Sequence, residues 1–163
     1  MPDHRRLLLI SVLVLTTLLF IDFLILHEFL PERIPGTPIV ISGLFLFVCY
    51  EVLFYTVFKR ILKEDDTISV TYLAIFACLI VLFSEIIFQT YRLTTFSYIT
   101  NEDRIRIFLI GVLGLSAFAG VLALPIAVDV KYKNRWITTL LNVGVGLAFY
   151  FVSPYVLSFI KGE

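Results

Sequence analysis

Five apolar runs, each about as long as a bilayer core is thick, leave this chain few folds to choose from. The runs are Leu7 to Leu26, Ile39 to Phe58, Val70 to Tyr91, Ile107 to Val128 and Trp136 to Ile160. A hydrocarbon layer of roughly 30 Å asks for about 20 residues of a helix rising ~1.5 Å per residue. The runs are continuous and lack the strict alternation of a transmembrane barrel strand. A lone strand in lipid would also leave its backbone unsatisfied, so helices are the expected solution. With 60% hydrophobic and 16% charged residues among 163, a soluble fold would expose large apolar surfaces. The expectation is an all-α, polytopic integral membrane helix bundle over residues 1–163. It has five transmembrane helices, or four if the first or last run lies in the interface. The first run follows Arg5 and Arg6 as a signal peptide would. Its apolar stretch is too long and no small-residue cleavage site follows, so it reads as a retained span.

The connections are short and polar. Glu32 to Pro38 holds two prolines and a glycine and reads as a loop. Lys59 to Thr67 is a charged hairpin in which Asp65, Asp66 and Thr67 are suited to cap the third helix, and Asn101, Glu102 and Asp103 similarly open the fourth. Lys131 to Arg135 turns the chain into the fifth, flanked by Tyr132 and Trp136 as interfacial anchors.

The balance of Lys and Arg then suggests an orientation. An N-terminus inside puts Arg5, Arg6, Lys59, Arg60, Lys63, Lys131, Lys133 and Arg135 in the cytoplasm. Arg33, Arg92, Arg104, Arg106 and Lys161 fall outside, as does the C-terminus if five spans form. The net charge is zero and no basic tract exists, so nucleic acid is not an expected partner. The expected partners are the lipid bilayer and either further copies of the chain or another membrane or cytoplasmic protein. Lys59, Arg60 and Lys63 are placed to meet anionic headgroups. No internal or inverted repeat is visible, which argues against a transporter built from paired halves.

Catalytic and metal motifs find no anchor. His27-Glu28 lacks the second His that a helical metal pair needs, and His4 lies in the N-terminal tail. No His lies within a span to activate a serine, and Gly111, Gly114 and Gly120 sit inside an apolar run and form no phosphate loop. No catalytic residue, metal or cofactor is therefore expected. Cys49 and Cys78 fall near mid-bilayer and read as small packing residues.

Acids inside the spans are what the bilayer should reject. Asp22, Glu51 and Glu85 are such residues, and a charge at a helix centre costs roughly 2.5 to 3.5 kcal/mol on insertion scales. Asp22 and Glu85 both lie 15 residues from the inner end of their spans, so they share a depth and could share a proton if the first and third helices touch. Glu51 lies in the inner half, where no cation of this chain accompanies it. Along the third helix Cys78, Glu85, Gln89 and Arg92 form one stripe, which is expected to face protein or water. That stripe is either an interhelical clamp or the lining of an ion or proton pathway.

The fourth helix carries Ser116, Gly120, Ala123 and Ala127 on one face, a packing surface for a close helix from this chain or another copy. Asn142, Gly146 and Ser153 repeat the pattern more weakly on the fifth. Pro125 and Pro154 are expected to kink or end their helices.

Three functional classes follow. The first is a small non-catalytic subunit of a homo-oligomer or larger membrane complex. The alternative is an ion or proton channel or transporter using Asp22, Glu51 and Glu85. The third is an intramembrane enzyme acting on lipid.

Overall fold

The computed structural model describes residues 4–25, 37–95, 101–134, 136–145 and 147. Their regular structure is helical throughout: α1 (His4–Leu24), α2 (Thr37–Glu64), α3 (Val70–Thr95), α4 (Asn101–Leu109), a π-helical turn (Ile110–Gly114) and α5 (Leu115–Tyr132). A shorter apolar helix, α6 (Trp136–Val145), follows. The chain is an all-α bundle.

Four segments are long and apolar enough to cross a membrane: α1, α2 from Ile41, α3, and the continuous rod Arg104–Tyr132 that runs through the π-turn. Their outward faces are apolar, with Leu9, Leu13, Leu44, Val52 and Leu113 all exposed. In a soluble protein such a surface would drive aggregation, whereas in lipid it is the solvated face. Of the run expected as a fifth span, Trp136–Val145 is helical as α6. The rest of it, with Gly146, Ser153 and Pro154, lies outside the described residues, as do the loop 32–36 and the cations Arg33, Arg135 and Lys161.

Small residues decide how the spans pack. The closest pairing is α3 against α5, and α1 packs on α3. Ser116, Gly120, Ala123 and Ala127 are all buried, together with Ala119. A Cβ at Gly120 would collide with the Cys78 thiol of α3 and stand 3.6 Å from the Ala74 carbonyl oxygen. The small face is thus spent inside the chain, where it lets two backbones approach. Around this seam Leu15, Phe54, Phe58, Leu73, Ile80 and Val81 complete the core. Tyr50, Phe54 and Phe58 stack at four-residue intervals along α2, with ring centres 5.8 and 5.9 Å apart.

Pro125 does not end its helix. It is buried within α5, which continues to Tyr132. Inside a bundle, neighbouring spans and small local adjustments accommodate the missing N–H. A π-helical irregularity lies in the same rod at Ile110–Gly114, about three to four turns earlier. The capping expectation for α3 also shifts. Ser69 Oγ accepts the Tyr72 N–H at 3.1 Å and is the cap, while Asp65 Oδ1 accepts the Thr67 hydroxyl at 2.6 Å and the Thr67 N–H at 3.0 Å to shape the preceding turn. Lys131 Nζ donates to the Ile68 carbonyl and ties the end of α5 to that turn.

The corner between α5 and α6 is tight. Lys133 adopts a left-handed conformation (φ 52°) and its N–H closes on the Asp129 carbonyl at 2.9 Å. Asn134 Oδ1 then accepts the amides of Trp136 and Ile137 at 3.1 and 3.3 Å, opening α6. Trp136 is 82% exposed, beside the exposed Tyr132.

Candidate functional site: two treatments of intramembrane acids

The stripe on α3 faces the rod formed by α4, the π-turn and α5. Cys78 lies over Gly120, and Gln89 lies over Gly111, where an added Cβ would come 2.7 Å from Gln89 Nε2. These two crossings fix an antiparallel register that brings Glu85 level with the end of the π-turn. Glu85 is 1% exposed, and its Oε2 accepts a hydrogen bond from Gln89 Nε2 at 3.0 Å. The bond thus goes to Gln89 along the helix and not to Arg92, which stands half-buried in the last turn of α3.

Next to Glu85, Ser84 Oγ donates to the Ile80 carbonyl at 2.8 Å and across to the Val12 carbonyl of α1 at 3.2 Å. Above it, Phe20 of α1 meets Phe88 edge to face at 5.4 Å. Asp22 is also buried, at 7% exposure, but it does not share a hydrogen bond with Glu85: its Oδ2 accepts from Ser42 Oγ of α2 at 2.6 Å. Helices α1 and α3 do touch. Each of the two acids nevertheless has its own local donor, so the shared-proton pair expected from equal depth does not form. Two oxygens of this interior, Gln89 Oε1 and Thr16 Oγ1, have no hydrogen-bond partner among the described residues.

Glu51 is treated differently. It is exposed on α2 and does not point into a sealed interior; it lines a groove of about 330 Å³ between α2, α5 and α6. Tyr55 and Thr56 continue its wall on α2, Asp129 closes it from α5, and Thr138 and Asn142 line it from α6. Thr138 Oγ1 donates to Asp129 Oδ1 at 3.4 Å. Toward the end of the bundle that holds His4, Tyr55 and Asp129 also border a second hollow of about 450 Å³, whose rim carries Lys59 and Lys133. The two hollows share Tyr55 and Asp129 as lining residues.

Ser42, Ser84, Asp129 and Thr138 belong to these arrangements without having stood out in the sequence. Asp129 falls one residue beyond the apolar run that ends at Val128, where an acid looks like an ordinary boundary residue. The hydroxyls carry no spacing signal at all. Among the described residues no group of three or more His, Cys, Asp or Glu side chains converges as metal ligands would, and Cys49 and Cys78 are free thiols.

Compared with known proteins, the chain matches no family model, no curated protein and no solved structure.

Proposed function

We propose that the protein handles protons or small cations in the membrane, with Glu51 as the binding carboxylate and Asp129 as the acid nearer the mouth of its groove. One observation carries this reading: Glu51, an acid within an apolar span, lines a groove together with Asp129, Thr138 and Asn142, beside the apolar Val52 and Ile126, and Tyr55 and Asp129 of that groove also border the hollow rimmed by Lys59 and Lys133. Glu51 is eight residues along α2 from Lys59 at the rim, about 12 Å at the helical rise. An ionised group at that depth is tolerated where water reaches it, and intramembrane acids in such places mark ion and proton routes. In this reading the N-terminus and the groove mouth face the cytoplasm, in line with the positive residues at that end, and α6 begins a fifth span. Glu85 and Asp22, each bonded to a neighbour and closed off, hold helix register.

Purified protein in liposomes tests it. Under an imposed potential, with protons, sodium or potassium offered in turn, the protein should carry one of them. Glu51→Gln should abolish the flux with the fold intact, and Asp129→Asn should slow it. The reading fails if no ion moves, or if Glu51→Gln conducts as well as the parent.

A second reading, that of a non-catalytic subunit, draws on the exposure of Glu51 at the side of the bundle, where a partner helix bearing a Lys or Arg would cover it. The small-residue face gives that reading no support, being buried within the chain. A partner lost on Glu51→Gln, in a protein that carries no ion, would decide for the subunit.

A further inference from the structure

Where the amino-terminal turns of α1 meet the last turns of α2, a separate cleft of about 240 Å³ opens between the helices. It is lined by His4, Arg6, Leu7, Ile10, Arg60 and Glu64. Its composition changes with depth. Arg6, Arg60 and His4 stand at the level of the helix ends, and Leu7 and Ile10 continue toward the middle of the membrane, with Ile10 47% exposed.

Arg60 Nε and Glu64 Oε1 are 3.8 Å apart on side chains that are 66% and 39% exposed. That separation is beyond hydrogen-bond reach, so the carboxylate leaves the guanidinium donors of Arg60 open to another acceptor. His4 is held in place by a 2.9 Å contact between its Nδ1 and the Tyr72 hydroxyl of α3, while its Nε2 has no hydrogen-bond partner among the described residues. A rigidly placed imidazole, two guanidinium groups from two different helices and an apolar floor below them match one kind of molecule. It has an anionic phosphate at the membrane surface and an acyl chain beneath it.

We propose that this cleft is a binding site for the phosphate headgroup of an anionic phospholipid, with one acyl chain running over Leu7 and Ile10. The bond geometry suits arginine, whose planar fork grips phosphate oxygens in pairs. Because the ligand bridges α1 and α2, it also ties the ends of two spans together, and bound lipid stabilises the bundle by mass action.

Native mass spectrometry of the full chain in detergent, titrated with phosphatidylglycerol or phosphatidylcholine of the same acyl chains, tests the site. Two basic groups near a headgroup correspond to about a 30-fold preference for the anionic lipid. The double variant Arg6→Gln, Arg60→Gln should bring that ratio close to one. Lys63→Gln, which removes a charge from the same end of α2 outside the cleft, should leave it unchanged. Ile10→Trp fills the apolar floor with both arginines retained and should weaken binding of the anionic lipid. Inorganic phosphate at matching concentrations should not displace it. Absence of a preference in the parent protein overturns the proposal, as does an equal loss with Lys63→Gln, which would mean a diffuse surface charge. Indifference to Ile10→Trp, or displacement by inorganic phosphate, also overturns it, since either would mean a site for free anions.

Discussion

Glu85 and Glu51 stand on consecutive long helices and meet opposite surroundings. Glu85 is closed in by α1, the π-turn and the small face of α5, and its hydrogen bond is supplied four residues away on its own helix. Glu51 has open space and a second acid, Asp129, across the groove. The side chain is the same; the helix opposite differs. Glycine and alanine on α5 let α3 come close, whereas α2, α5 and α6 leave around Glu51 a groove that Tyr55, Ile126 and Asn142 line. Close packing makes an acid a structural element, and looser packing leaves it available for chemistry.

The hardest blow to the closed region would be Gly120→Leu. A leucine there strikes the Cys78 thiol and crowds the Ala74 carbonyl of α3, and overpacking costs about 1–3 kcal/mol, with the upper end expected where backbone is crowded as well. The heat-unfolding midpoint in detergent should collapse, while Gly43→Leu, at a site with nothing within 4 Å, should leave it nearly unchanged. Equal effects at the two glycines would mean that the seam does not hold the bundle.

Glu85→Ala comes next, because it opens a small cavity and leaves the Gln89 amide without its acceptor. About 2 kcal/mol of stability should be lost. Glu51→Ala should lose less than about 0.5 kcal/mol, as substitutions at open positions usually do. If the two alanine variants unfold alike, the contrast between closed and open acids is broken.

A smaller effect is expected at the other closed acid. Ser42→Ala removes the hydroxyl that donates to Asp22 and should cost about 1 kcal/mol, in the range of interhelical polar bonds within membranes. A double-mutant cycle with Asp22→Asn sharpens the assignment: a coupling near zero would mean that the 2.6 Å contact holds nothing in register.

The smallest effect lies outside the membrane. The Thr67 hydroxyl and then the Thr67 amide bond to Asp65 and hold its carboxyl below the usual carboxylate range. A depressed acid contributes stability above its unfolded value, about 3.9, and that contribution is lost as pH falls through the lower folded value. Protection of the Thr67 amide against hydrogen exchange should therefore fall in acid below about pH 4. In Asp65→Asn this acid-dependent part should vanish. Loss of protection at higher pH in both proteins would point to another group.

Much of this was legible in the residues. Continuous apolar runs gave the helices, and the spacing of Ser116, Gly120, Ala123 and Ala127 marked a close contact because only small side chains permit one. The stripe through Glu85 and Gln89 likewise showed which way α3 turns. What spacing could not show was the partner of each face. Nothing local in the sequence says that Gly120 would meet Cys78, that Ser42 would reach Asp22 before Glu85 did, or that Glu51 would border open space. Those outcomes depend on which helices become neighbours across long stretches of chain. Pro125 could not settle its own outcome for a related reason: its helix continues to Tyr132, because the cost of the missing N–H depends on the bundle around it.

The turn at Ile110–Gly114 acts as a phase shifter. Inserting one residue into a helix rotates everything on one side by about 100° relative to the other, since an α-helix completes a turn in about 3.6 residues. The half of the rod that carries Arg104 and Arg106 and the half that carries Gly120 are therefore set to independent angles, although they read as one apolar run. A single-residue deletion within 110–114 would restore a uniform helix, swing α4 around its axis and take Gly111 away from Gln89.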